Sequence, residues 1–229
     1  MKILALDTAT EVCSVALLLQ EDLLVRELPP GTGHSAHILS LVQAVLAEAD
    51  LALTDLDCIA FGRGPGGFTG VRLAASVTQG LAYGAGLAVI PVSDLLAVAQ
   101  QALDLAPRAR SVLVCNDARM QEVYWTCATR GPGGLATPAG PEQVGPPSSV
   151  LLPPGLPDPV LGAGRGFGVW ATLQGRLGAQ LSQVQPELLP RAREIARLAA
   201  PLWAAGHGLT PEQAQPVYLR DNVAKPSRQ

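Results

Sequence analysis

The sequence predicts an α/β fold laid out on a duplicated plan, and three observations carry that reading. Short apolar runs rich in Val, Ile, Leu and Cys alternate with longer segments of helical period, so strands and helices interleave along the chain. An apolar run closed by Asp7 and a turn opens the first half, and an apolar run closed by Asn116-Asp117 and a turn opens the second, which points to an internal repeat. The stretch from Leu103 to Arg110 lies between them and predicts a boundary, with an N-terminal lobe over residues 1–104 and a C-terminal lobe over residues 105–229.

The elements follow in order. Lys2 to Leu6 reads as a buried strand, Asp7-Thr8-Ala9-Thr10 as a turn, and Cys13 to Leu19 as a second strand; the turn Gln20-Glu21-Asp22 then returns the chain as a third, Leu23 to Leu28. After the loop Pro29 to Gly33, the residues Ile38, Leu41, Val42, Val45 and Leu46 recur at helical spacing and predict a helix over Ser35 to Ala49. A strand over Leu56 to Gly62 leads into a glycine loop. A helix over Thr69 to Tyr83, a strand over Leu87 to Val92 and a helix over Ser93 to Ala102 complete the first half. In the second half, Ser111 to Cys115 and Glu122 to Ala128 read as strands around a polar turn. From residue 131 to 158, half of the 28 residues are Gly or Pro, which argues against continuous helix or sheet and predicts a loop or a poorly ordered insert. Beyond it come a strand at Val160 to Gly162, a loop at Gly162 to Gly168, a helix at Pro190 to Ala205, and a polar tail from Gln215 to Pro226-Ser227-Arg228-Gln229.

Composition narrows the function. The chain has 229 residues, 48% of them hydrophobic and only 4% aromatic, so its core is built mainly from Ala, Leu and Val. Its net charge is −3, and its 14 Arg and 2 Lys are scattered, which leaves no electrostatic footprint for a phosphate backbone. Any RNA is therefore expected to be held by another subunit. The opening MKILALDTAT reads as a strand rather than a leader, and the apolar stretch Leu81 to Ala99 is broken by Gly84, Gly86, Pro91 and Asp94, so neither export nor a membrane span is expected. Cys13, Cys58, Cys115 and Cys127 stand far apart in apolar runs, as buried thiols of a reducing compartment do. A soluble cytoplasmic protein is the expectation.

Few motifs carry chemistry. The loop Gly62-Arg63-Gly64-Pro65-Gly66-Gly67-Phe68-Thr69-Gly70 joins a strand to a helix, where backbone N–H groups can cradle an anion, but it lacks the Gly-Lys-Ser/Thr ending of a phosphate loop. The other reading is a tight turn with Thr69 as helix N-cap. Asp7 and Asp117 follow apolar strands, where a metal or phosphate can be held; each also reads as an aspartate capping its turn. His34 and His37 lie three residues apart with no third ligand near them in sequence, so no metal site is expected. The helix over Thr69 to Tyr83 is apolar or small almost all round, which requires cover on both sides.

Ile3 to Thr10, the loop Gly62 to Gly70 with Val71-Arg72, the stretch Asp117 to Trp125 and the tail Pro216-Val217-Tyr218-Leu219-Arg220 together resemble the TsaB family, also called YeaZ, in the family's own order. Two positions depart from it: Gly67 stands where the family carries Ser, and His37 lies outside its pattern. The resemblance implies a duplicated actin-like, sugar-kinase-like (ribonuclease H-like) fold of two lobes, each a mixed sheet with flanking helices. It also implies a non-catalytic subunit, without cofactor, in threonylcarbamoyladenosine modification beside the tRNA anticodon. The implied partners are the transferase TsaD and the ATPase TsaE, with a homodimer through the same helices and no tight tRNA binding by this chain alone. Helix residues Ile38, Leu41, Val42, Val45, Ala74, Ala75, Thr78 and Leu81 are the expected partner surface, with whichever of Ala74 and Ala75 faces outward at its centre. Asp7, Thr8, Gly64, Gly66, Gly67, Thr69 and Asp117 are the expected remnant of a nucleotide or phosphate site. The competing reading is an enzyme of the same superfamily, a weak ATPase or a metallopeptidase.

Overall fold

A computed structural model describes residues 1–220; the end of the polar tail, Pro226 to Gln229, lies outside the described residues. The first sheet takes β1 (Lys2–Asp7), β2 (Cys13–Leu19), β3 (Asp22–Leu28), β4 (Cys58–Gly62) and β5 (Ala88–Val92), in the order β3-β2-β1-β4-β5. The hairpin strands pair antiparallel, whereas β4 and β5 join parallel to β1 through helical crossovers. The second sheet repeats this plan. In it β6 (Ser111–Asp117), β7 (Val123–Arg130) and β8 (Ala136–Pro138) are antiparallel, and β10 (Val160–Ala163) and β11 (Gln183–Gln185) extend it in parallel, giving β8-β7-β6-β10-β11. The shared strand order makes the duplication plain, and the fold is the expected duplicated α/β architecture of two mixed sheets with flanking helices.

Among the described residues six α-helices complete the layers: α1 (His34–Glu48), α2 (Phe68–Ala85), α3 (Asp94–Leu105), α4 (Gly166–Val169), α5 (Ala171–Leu177) and α6 (Ala192–Ala204). Period-2 alternation decides what each strand offers. On β1, Leu4 and Leu6 face the core under α1 and α2, and Ile3 and Ala5 face the core that holds α3 and α6. On β6, Val112 and Val114 face that same central core, while Leu113 and Cys115 turn to the outer one with Phe167 and Leu173. The two sheets exchange helices: α3, from the first half of the chain, packs on β6, β7 and β8, and α6, from the second half, packs on β1, β2, β4 and β5. One central core therefore belongs to both sheets, and each fully buried Leu or Ile in it contributes roughly 1.5 to 3 kcal/mol.

Three sequence expectations are corrected. The Gly/Pro-rich stretch 131–158 is neither a plain loop nor an unordered insert: Ala136–Pro138 pairs with the end of β7, and β9 (Gln143–Gly145) pairs with its start. Prolines are tolerated there because these are short edge strands with unpaired outer sides. The predicted loop from Gly162 to Gly168 is shorter than expected, a turn at Gly164 and Arg165 between the end of β10 and the start of α4, and α5 and β11 follow it where the sequence predicts no element. Thr69 is not the cap of α2; Gly67 is, with no side-chain hydrogen bond, and Thr69 already lies in the first turn. At the other end Gly86 closes α2 at φ 68°, a left-handed position that favours glycine.

Candidate functional site

A cleft of about 1080 Å³ opens between the two sheets. Its first wall is the turn Thr8 to Glu11 and the loop Pro65 to Gly70 at the start of α2; its second is Asn116 to Arg119, Tyr124 and Arg165. The tail segment Val217 to Arg220 borders both walls. Each wall is made by a glycine-rich turn after a parallel strand. Gly62-Arg63-Gly64-Pro65-Gly66 follows β4, and Gly162-Ala163-Gly164-Arg165-Gly166 closes β10, with Gly64 and Gly164 at φ 97° and 96°. A Cβ on Gly66 would lie 2.7 Å from the carbonyl of Ala9, and one on Gly166 would lie 2.7 Å from that of Cys115, so the first loop presses on the turn after β1 and the second on β6 itself. The loop expected from Gly162 to Gly168 contains this second turn, and the Gly-x-Gly-x-Gly spacing it shares with the first is the sequence signal that links the two.

Arg165 reaches across the cleft. Its guanidinium donates to Glu11 at 2.6 Å, on the opposite wall, and to Glu187 at 2.7 Å. Arg63 forms a bidentate pair with Glu142, both bonds at 3.0 Å, and so ties the first glycine loop to the second half. The tail adds a third tie: Val217 N donates to Arg63 O at 2.7 Å, while Arg220 donates to the Ala118 carbonyl at 3.2 Å and pairs with Glu122. At the mouth the Arg72 guanidinium sits 3.2 Å from the Phe68 ring centre and 4.8 Å from that of Tyr218.

The expected phosphate-site residues divide into two groups. Thr8, Gly66, Gly67, Thr69 and Asp117 line the cleft, whereas Asp7 and Gly64 do not. Thr8 donates its hydroxyl to Gly70 O at 2.7 Å, and Asp117 is held by Arg119 at 3.1 Å. Asp7 is fully buried beneath the loop and faces Asp94, a residue the sequence reading used only as a break in an apolar run. His34 contacts the Glu11 carbonyl at 3.3 Å, and among the described residues no three His, Cys, Asp or Glu side chains come together in a way that could hold a metal.

The expected partner surface needs correction. Ile38, Val42, Val45 and Ala75 belong to the core between the first sheet and α1 and α2, and Ala74 and Thr78 are fully buried. Leu41 and Leu81 are only partly open and pack on the same core. Neither Ala74 nor Ala75 faces outward. The open side of α2 carries Arg72, Ser76, Gly80, Tyr83 and Gly84, and that of α1 carries Ala36, Leu39, Ser40, Gln43 and Ala44. Because α2 is small or apolar all round, its sequence holds no polar stripe to mark the outside.

The four cysteines are buried and free, as expected. Burial pushes the thiols of Cys13 and Cys127 up to about 11 and that of Cys58 up to about 12. Among the described residues no helix is long and apolar enough to cross a membrane.

Comparison with known proteins agrees with this architecture. The family model described as TsaD, tRNA N6-adenosine threonylcarbamoyltransferase, matches residues 31–158. The Escherichia coli (strain K12) tRNA threonylcarbamoyladenosine biosynthesis protein TsaB is 41% identical over 98% of this chain and 96% of its own. The Haemophilus influenzae protein of that name is 37% identical over 96% and 94%. Among solved structures, an uncharacterized protein similar to the peptidase YeaZ, from Pseudomonas aeruginosa, superposes with a TM-score of 0.86 at 42% identity, covering 96% of this chain and 99% of its own. YeaZ from the same organism gives 0.85 at 41%, covering 95% and 99%. With identity of this level sustained over nearly the full length of each relative, this chain belongs to the TsaB (YeaZ) family of tRNA threonylcarbamoyladenosine biosynthesis proteins.

Proposed function

We propose that this chain serves threonylcarbamoyladenosine modification of tRNA in the cytoplasm as a non-catalytic subunit, docking on the transferase TsaD, with TsaE joining the pair. The names of its full-length relatives support the pathway. The observation that carries the docking role is the open face of α1 and α2, where small residues surround Leu39 and Tyr83, 51% and 74% exposed. A Cβ added at Gly80 or Gly84 would meet nothing within 4 Å, so another helix can approach this face closely. A second copy of the chain would use the same face and compete with the transferase.

The cleft favours a second reading, a nucleotide or phosphate site using the N-terminal amides of α2 with Thr8, Gly66, Gly67, Thr69 and Asp117. Against an ATPase stand the Arg165–Glu11 pair and the tail, which already span that space. Metallopeptidase chemistry lacks a ligand cluster among the described residues.

The test is a pull-down on TsaD with Gly80→Arg and Ser76→Arg, together with modification assays that include or omit this chain. Both variants should fold, lose the partner and fail to support modification. If both still bind, the interface lies elsewhere; ATP hydrolysis by the isolated chain would favour the second reading.

A further inference from the structure

Beneath the first glycine loop, Asp7 at the end of β1 and Asp94 at the start of α3 are both fully buried and meet beside Gly62. A Cβ on Gly62 would lie 2.3 Å from Asp94 Oδ1 and 2.9 Å from Asp7 Oδ1, so the absent side chain is what admits both carboxyls. Each has one oxygen satisfied by backbone. Asp7 Oδ1 accepts from Ala9 N at 2.8 Å, and Asp94 Oδ2 accepts from Gly64 N, while Asp94 N donates back to Gly64 O at 3.1 Å. Each also has one buried oxygen, Asp7 Oδ2 and Asp94 Oδ1, that as a carboxylate has no donor. Two orphaned acceptors in one buried site are satisfied together by a single proton between them.

We propose that Asp7 and Asp94 form a carboxylic acid–carboxylate pair, with Asp94 donating the shared proton to Asp7, and that this proton holds the first glycine loop closed on the turn after β1. The hydrogen bonds complete a ring: Asp94 holds Gly64, Gly67 N donates to Ala9 O at 2.7 Å, Ala9 N donates to Asp7, and the proton joins Asp7 to Asp94. Removing the proton places two like charges in a dry site, and one of the loop contacts must give way. Burial pushes the Asp7 carboxyl up to about 7, and burial with the Asp7 charge pushes Asp94 well above the usual carboxylate range. The charged and titratable groups facing the pair are few. Glu194 on α6 opposes ionisation of Asp7, Arg63 favours that of Asp94, and the Cys13 thiol on β2 stays protonated, raised in part by Asp7 itself. The glycine wall of the cleft is thus a pH-responsive element.

Two measurements test this. In protein labelled with 13C-aspartate, at least one of the two carboxyl carbons should keep the shift of a protonated acid at about pH 7, where an ordinary Asp is ionised. Asp94→Asn substitutes a permanent N–H donor toward Asp7 while its amide oxygen still accepts from Gly64. Amide-exchange protection at Gly64 and Gly67 should fall about tenfold in the unsubstituted protein between about pH 6 and pH 9, and change by less than about twofold in Asp94→Asn. Equal loss of protection in both proteins would overturn the proposal, and so would both carboxyls titrating near 4. Should Asp94→Asn fail to fold, the carbon titration decides alone.

Discussion

Two alanine substitutions on one helix should act with opposite sign. On α2, a Cβ at Gly70 would stand 2.0 Å from Thr8 O, 3.0 Å from Thr8 C and 3.3 Å from Ala9 Cα. All three are backbone atoms of the turn after β1, and the Thr8 hydroxyl already binds Gly70 O at 2.7 Å, so no flexible side chain can yield. The helix must retreat by about 1 Å or more, which costs about 2 to 3 kcal/mol as overpacking. At Gly80, ten residues on, the added methyl meets nothing within 4 Å. There the change removes only glycine's backbone entropy and stabilises the helix by about 1 kcal/mol. For a chain of this size 1 kcal/mol moves the melting temperature by about 2 to 4 °C. Gly70→Ala should therefore melt roughly 4 to 12 °C lower, and Gly80→Ala about 2 to 4 °C higher, by circular dichroism or calorimetry on dilute isolated chain. A Gly70→Ala protein as stable as the original would mean that α2 does not lie on the β1 turn. A destabilised Gly80→Ala would mean that the open face is covered in the free protein.

Stability should also fall with rising pH. For Asp7 the folded value of about 7 lies above the ordinary 3.8, so the stabilisation is fully present below about 4 and is lost progressively up to about 7. The slope is about 1.4 kcal/mol per pH unit for each retained proton, and urea midpoints should show it flattened in Asp94→Asn. Native protein should resist iodoacetamide at pH 8, since its thiols are buried and raised, and all four cysteines should label only on unfolding; rapid labelling of any one would contradict the structure. With a net charge of −3 and Arg165 and Arg220 already paired in the cleft, the isolated chain should show negligible tRNA affinity at physiological salt in a filter-binding assay.

Local chemistry was enough to place most elements. The apolar run Cys13 to Leu19 is β2 residue for residue, and the helical spacing of Ile38, Val42 and Val45 announced α1, although the stripe they form was expected on a partner and lies on the core. The repeated apolar-run-then-aspartate pattern announced the duplication that the two sheets share. These are properties a segment carries in its own sequence. What decided the rest was contact between distant segments. The outward face of α2 could not be read, because a helix without polar contrast has no phase until a sheet covers one side of it; the sheet covered Ala74, Ala75 and Thr78 and left Gly80 and Tyr83 open. The short strands of 131–158 exist only because the long β7 offers an edge on which weak, proline-bearing segments can pair. Asp7 reads as a turn aspartate and Asp94 as a break in an apolar run; their meeting in one buried site depends on β1 lying next to β4 and on Gly62 having no side chain there, and only the folded chain supplies both conditions.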